Sequence, residues 1–218
     1  DVGERMGDTP GRFCRNPLIT KLYIAAVTSA LAEHAKDGDL VYHGLAGGLL
    51  LKDLPGVLKI RLIAPLEYRL QALMFSHGME EEAAEAYIHE VDEARYQWVK
   101  NVYGADNTDS SLYDMVLNLG SFSIPEACEV AKIAASRPEF EMNPARMEKL
   151  RDFRIAWQVR LALLEDLGTQ TLDLDATVSH GVAVVLGEAP LLNTGEVGNR
   201  ITEIVSAVPG VKEVRLAI

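Results

Sequence analysis

Short apolar runs separated by helical patterns are the feature that most constrains the fold of the first part of the chain. Three runs, at residues 40–42, 57–63 and 115–117, have the length and composition of buried strands. Helices are predicted between them, over about residues 16–38, from 65, over 80–103 and over 123–136. This alternation is typical of a parallel α/β sheet with flanking helices.

The pattern changes between residues 137 and 144, where two Pro-containing dipeptides occur close together. After them the order becomes helix, strand, strand, helix, strand, which predicts a small α+β module. We therefore predict a flexible N-terminus at 1–15, an α/β domain at 16–137, a linker at 138–150 and an α+β domain at 151–218.

Composition excludes several classes of protein. There are 21 basic and 32 acidic residues, giving a net charge of −11, which argues against a nucleic-acid polymer as partner. No run of 18 apolar residues and no signal-peptide core occur, so we expect no transmembrane segment and a cytoplasmic location. Cys14 and Cys128 do not suggest a disulfide framework, and the five histidines lack metal-ligand spacing.

Three motifs in the first part carry a family resemblance. They are IAPLEYR at 63–69, DxxRxxxVKxxYG at 92–104 and SLYDMVLN at 111–118. In this order and spacing they resemble the cytidylate kinase-like family of P-loop nucleoside monophosphate kinases, over about residues 38–135. The resemblance implies a P-loop-kinase-like parallel sheet that is incomplete at its N-terminus.

The resemblance also implies roles for individual residues. Arg95, on the predicted lid helix, would be the catalytic arginine finger, and Asp92 three residues earlier could orient it. Arg69, just after the end of a strand, and Gly44 are the other nucleotide-binding candidates. The alternatives are a solvated Asp–Arg pair on the helix surface and, for Gly44, a glycine turn packed against the sheet.

One motif of such kinases is missing from these residues. A P-loop reads G-x-x-x-x-G-K-[ST], and no Lys of this chain precedes Ser or Thr. Where the family commonly has Gly-Arg, this chain has Gly44-Leu45, which removes a charge-assisted donor to phosphate. Because the chain starts with Asp1, we expect a trimmed segment, with ATP and Mg²⁺ as cofactors only if a P-loop lies upstream.

The C-terminal part has a resemblance of its own. HGVAVVLG at 180–187, followed by VPGVKEV at 208–214, resembles a BON domain, a small non-enzymatic module thought to bind membranes or partners. Beyond residue 167 the basic residues are few, so an anionic lipid surface is a weak candidate. Through this module we expect a protein partner or self-association instead.

These expectations leave two functions open. The first is a degenerate or truncated nucleotide-kinase-like domain with a regulatory, binding or assembly role. The alternative is an active cytidylate-like kinase that transfers the ATP γ-phosphate to a nucleoside monophosphate. In both, the small-molecule partner would be a CMP-like nucleotide.

Overall fold

The computed structural model of the chain describes residues 16–187 and 194–218, so the predicted flexible N-terminus lies outside the described residues. The chain divides into two compact units. Unit 1 holds residues 42–52 and 56–141, and unit 2 holds 16–41, 53–55 and the described residues from 142 onward.

The helices and strands follow in chain order. They are α1 Pro17–Ala35, α2 Gly47–Leu50, β1 Ile60–Ile63, α3 Leu66–His77, α4 Glu81–Tyr103, β2 Met115–Asn118, α5 Ile124–Ala135, α6 Pro144–Glu165, β3 Leu174–Ser179, β4 Val182–Gly187, α7 Thr194–Ser206 and β5 Glu213–Ala217. A 3-10 turn at Ser110–Leu112 precedes β2.

Unit 1 contains a parallel pair of strands with flanking helices. β1 pairs with β2, so that Ile60 lies opposite Met115 and Ile63 opposite Asn118. This confirms the mixed α/β fold with a parallel sheet. The strand predicted at 40–42 is wrong: these residues lie outside any strand, and Val41 is 93% exposed. A strand needs a hydrogen-bonded neighbour, and the described residues offer none to this run.

Local start signals fix the helices of unit 1. A capping box begins α5, because the Ser123 backbone N–H donates to Glu126 Oε2 at 2.8 Å and the Ser123 hydroxyl accepts from the Glu126 N–H at 3.4 Å. α3 begins one residue later than predicted, because Pro65 is its N-cap and Leu66 is its first helical residue. α3 then packs against α4.

Unit 2 has a three-stranded sheet in the order β3-β4-β5. β3 and β4 are antiparallel, and β4 and β5 are parallel. α6 and α7 bury their apolar faces against the sheet, and the core residues are Ile155, Val159, Leu163, Ala176, Ala183, Val185, Ile201, Val205 and Val208. The predicted helix–strand–strand–helix–strand order is therefore present.

Two predicted boundaries differ from the structure. α1, which the sequence placed in the 16–137 domain, belongs to unit 2, because it packs along α6 and buries Ala25, Leu31 and Ala32. The predicted 138–150 linker is shorter, since α6 already begins at Pro144, with Asn143 as its N-cap.

A buried carboxylate fixes the turn between β3 and β4. His180 and Gly181 form a two-residue turn with φ of 53° and 83°, a conformation that favours glycine. Asp152 on α6 is 8% exposed and accepts hydrogen bonds from the backbone N–H groups of His180 at 2.7 Å and Gly181 at 3.2 Å. The turn is thereby attached to the central helix of unit 2.

Candidate functional site

The carboxyl ends of β1 and β2 meet at one edge of the unit 1 sheet. The Asn118 side-chain Oδ1 accepts a hydrogen bond from Gly120 N–H at 2.9 Å. A Cβ at Gly120 would lie 2.5 Å from Pro65 Cγ, so only glycine lets the two loops come this close. This edge is where ligands bind in open α/β sheets. Sequence reasoning included Asn118 only as the last residue of the third motif and did not select Gly120, although a glycine two residues after a strand end was the available signal.

Arg69 and Asp92 form a two-bond ion pair beside this edge. Arg69 lies in the first turn of α3, and Asp92 lies near the middle of α4. Arg69 Nη1 donates to Asp92 Oδ2 and Nη2 to Oδ1, each at 2.7 Å. The structure therefore brings together two of the predicted residues. It assigns Asp92 a different partner from the expected one, because its carboxylate holds Arg69 and not Arg95.

Arg95 lies on the inward-facing stripe of α4. At about 100° per residue, Ile88, Asp92, Arg95 and Val99 fall within an arc of about 60°. Ile88 is 4% exposed and Val99 is fully buried, yet Arg95 between them is exposed. Within the described part of the chain, Arg95 makes no ion pair. Its guanidinium is thus open to solvent on the side of the helix that elsewhere packs inward.

Gly44 lies in a turn beneath the ring of Tyr42. A Cβ at Gly44 would be 2.5 Å from the Tyr42 hydroxyl oxygen, and one at Gly47 would be 2.5 Å from the same ring. The glycines therefore permit close approach of an aromatic side chain that lies outside the sheet. A nucleotide-binding role for Gly44 stays a prediction.

Two other cations of unit 1 lie over aromatic rings. Arg61 lies over the Tyr113 ring at 5.7 Å, and Lys100 over the Tyr96 ring at 5.4 Å. The pKa of Asp106 is lowered from its usual value, chiefly by hydrogen bonds from Thr108, with smaller contributions from the charges of Arg61 and Lys100.

Two observations bear on a Mg²⁺–ATP site. Over residues 16–187 and 194–218, no three His, Cys, Asp or Glu side chains lie close enough to hold a metal ion. The 218 residues also contain no Lys-Ser or Lys-Thr pair for donor phosphates. In the same described ranges, no helix is long and apolar enough to cross a membrane.

Comparison with protein families shows to which family the chain belongs. The sequence profile of the cytidylate kinase-like family matches residues 4–121, just over half of the chain. The chain belongs to the cytidylate kinase-like family. The three motifs at residues 63–69, 92–104 and 111–118 all lie within the matched segment. The BON resemblance of the C-terminal part lies outside it and stays a prediction.

Curated relatives agree with this assignment. The chain is 36% identical over 110 residues to a protein named cytidylate kinase from Methanopyrus kandleri, covering 47% of the chain and 57% of the relative. It is 34% identical over 105 residues to a cytidylate kinase from Methanosarcina acetivorans, covering 46% and 56%. The chain thus spans little more than half the length of these relatives.

One solved structure is similar at lower identity. An uncharacterized protein from Eubacterium ventriosum is 21% identical, with a TM-score of 0.49, and the match covers 63% of this chain and 77% of that one.

Proposed function

We propose that unit 1 binds a nucleoside monophosphate and that Arg95 contacts its phosphate. The observation that carries this proposal is the exposure of Arg95 on a helix stripe whose neighbours, Ile88 and Val99, are buried. An exposed arginine that makes no ion pair among the described residues has its N–H donors available to an anion. A phosphate group is such an anion.

The chemistry of the site favours a phosphate over other anions. A guanidinium presents its N–H donors in a planar fork that matches phosphate oxygens and remains charged at any physiological pH. Because the whole chain carries a net charge of −11, it does not attract anions in general. Binding of a phosphate therefore depends on individual arginines at the site. The names of the relatives make CMP the first nucleotide to test.

For the biological role we propose regulation or assembly, with the fold of a nucleotide kinase reused for binding. Two features of the sequence support this role: Leu45 replaces the family's arginine, and no P-loop motif occurs in the 218 residues. We further propose that unit 2 acts as a BON-like module. Its order of helices and strands fits that module, and its partner would be another protein or a second copy of the chain.

A second candidate is phosphoryl transfer to CMP. It is favoured by the family membership and by the names of the curated relatives. In that case Arg95 and Arg69 would bind the acceptor nucleotide, and the groups that hold ATP and Mg²⁺ would lie outside the described residues.

Calorimetric titration with CMP tests the binding proposal. We expect saturable heat with the 218-residue chain and at least a tenfold weaker affinity in Arg95→Ala, since one charge-assisted contact is worth about 1.5 kcal/mol or more. The matched control is Arg137→Ala, which removes an exposed arginine paired with Glu139 and should change affinity less than twofold. A wild-type chain that gives no saturable heat contradicts the proposal.

A coupled assay for CDP formation separates the two candidate roles. CDP produced from CMP and ATP by the wild-type chain, and lost in Arg95→Ala, would favour the kinase. Binding of CMP without CDP formation would favour the regulatory role.

A further inference from the structure

The ion pair between Arg69 and Asp92 leaves part of the arginine free to bind. A guanidinium has five N–H donors, and the two bonds to Asp92, both at 2.7 Å, use one on each Nη. Three donors remain, including Nε–H. The Arg69 side chain is 34% exposed, so solvent, and therefore a ligand, has access to it.

Asp92 lies next to both arginines of the site. It binds Arg69 directly, and Arg95 follows it by three residues on the same face of α4, where Cβ atoms are about 5–6 Å apart. These three side chains together carry a net charge of +1. A phosphate group is attracted to such a set of side chains even though a carboxylate belongs to it.

We propose that Asp92 is a positioning residue for nucleotide binding. Its carboxylate fixes the guanidinium plane of Arg69, so that the remaining donors of Arg69 and the side chain of Arg95 bind oxygens of the same phosphate. A long arginine side chain loses much rotamer freedom when it binds a ligand, and a partner that orders it beforehand removes that cost from binding. The inference rests on the proposed function and adds a second phosphate-binding arginine to it.

Asp92→Asn is the decisive variant. It keeps the size of the side chain but removes its charge, and it replaces one of the two oxygens that accept from Arg69 with an NH₂ donor. We expect the Kd for CMP to rise about tenfold, and Arg69→Ala to cause a similar rise. The double variant should bind no more weakly than the weaker single variant, because both changes remove the same arrangement. Asp92→Glu should recover affinity to within about threefold of wild type.

Glu93→Gln is the matched control. It makes the same charge change one residue along α4, at a side chain that accepts a hydrogen bond from Gln97, and should alter affinity less than twofold. Thermal unfolding separates positioning from a structural role. A half-exposed ion pair contributes little to stability, so the Tm of Asp92→Asn should stay within about 2 °C of wild type while affinity falls.

Nitrogen-15 NMR reports on Arg69 itself. In the wild-type chain we expect a distinct Arg69 Nε–H signal, assigned with Arg69→Lys, that moves with CMP along the calorimetric binding curve. In Asp92→Asn the signal should broaden and its response to CMP should be lost.

The outcomes separate this inference from the proposed function. If wild type binds CMP, Arg95→Ala does not, and Asp92→Asn binds as tightly as wild type or more tightly, then Asp92 does not position Arg69 and only this inference is overturned. If wild type does not bind CMP, both are overturned. A tenfold loss in Asp92→Asn that comes with a large fall in Tm also overturns the positioning role.

Discussion

Asp152 should be the most sensitive polar residue of unit 2. It is 8% exposed, and its carboxylate accepts two backbone N–H groups from the turn at His180 and Gly181. Replacing it with alanine leaves both donors without an acceptor in a region where the Gly181 N–H is buried. The free energy of unfolding therefore falls for two reasons: two hydrogen bonds are lost, and two backbone N–H donors are left unpaired.

The magnitude follows from the two bonds. A hydrogen bond to a charged group contributes about 1.5 kcal/mol at the lower end of its range, so Asp152→Ala should lower the free energy of unfolding by about 3 kcal/mol. For a unit of about 100 residues this corresponds to a fall in Tm of roughly 15 °C. Asp152→Asn keeps one carbonyl acceptor and should lose about half as much.

Tryptophan fluorescence can follow unit 2 by itself. The chain has two tryptophans, Trp98 in unit 1 and Trp157 in unit 2. In a Trp98→Phe background, urea unfolding therefore reports on Trp157 alone. The control is Asp173→Ala, which makes the same change at a 92% exposed side chain paired with Lys21 and should cost less than about 0.5 kcal/mol. The reasoning is refuted if Asp152→Ala unfolds within 0.5 kcal/mol of its parent.

Two further predictions concern stability. Ser123→Ala removes the capping box of α5 and should lower the stability of unit 1 by about 1 kcal/mol, measured by urea unfolding through Trp98 fluorescence in a Trp157→Phe background; an unchanged midpoint would contradict it. Hydrogen bonds from Lys36 and then Arg154 lower the pKa of Glu33 from 4.5 to about 2. Because the folded pKa lies below the unfolded one, the charged Glu33 stabilises the fold above about pH 4.5, and this is lost as the pH falls toward 2. The difference in urea midpoint between wild type and Glu33→Gln should shrink over that range, and a constant difference would rule the effect out.

Local signals were sufficient to predict most of the helices. Asn143-Pro144, which the sequence analysis placed in the linker, begins α6. Asn16-Pro17 and Ser123 act within three or four residues of their own position, and both begin the helices predicted there. The same holds for the order of strands and helices in unit 2. The strand predicted at 40–42 failed because pairing depends on a partner elsewhere in the chain, which an apolar run does not specify.

In the candidate site, too, the sequence predicted individual residues but not the contacts between distant ones. The family motifs selected Arg69, Asp92 and Arg95, and the structure brings the first two together. The ion pair between them could not be predicted from the sequence, because Arg69 and Asp92 are 23 residues apart and lie on different helices. The position of Arg95 on the inward-facing stripe could have been predicted from the sequence. Two charged residues one turn apart, Asp92 and Arg95, interrupt the apolar stripe of α4.

The placement of α1 bears on how fragments of this protein should be cut. A fragment that stops at Glu141 would keep the entire segment matched by the family, yet it would remove α6 from the apolar side of α1. Leu31 and Ala32, 8% and 0% exposed in the intact chain, would then face water. Such a fragment would expose the apolar face of α1, and we expect it to aggregate unless α1 is also removed.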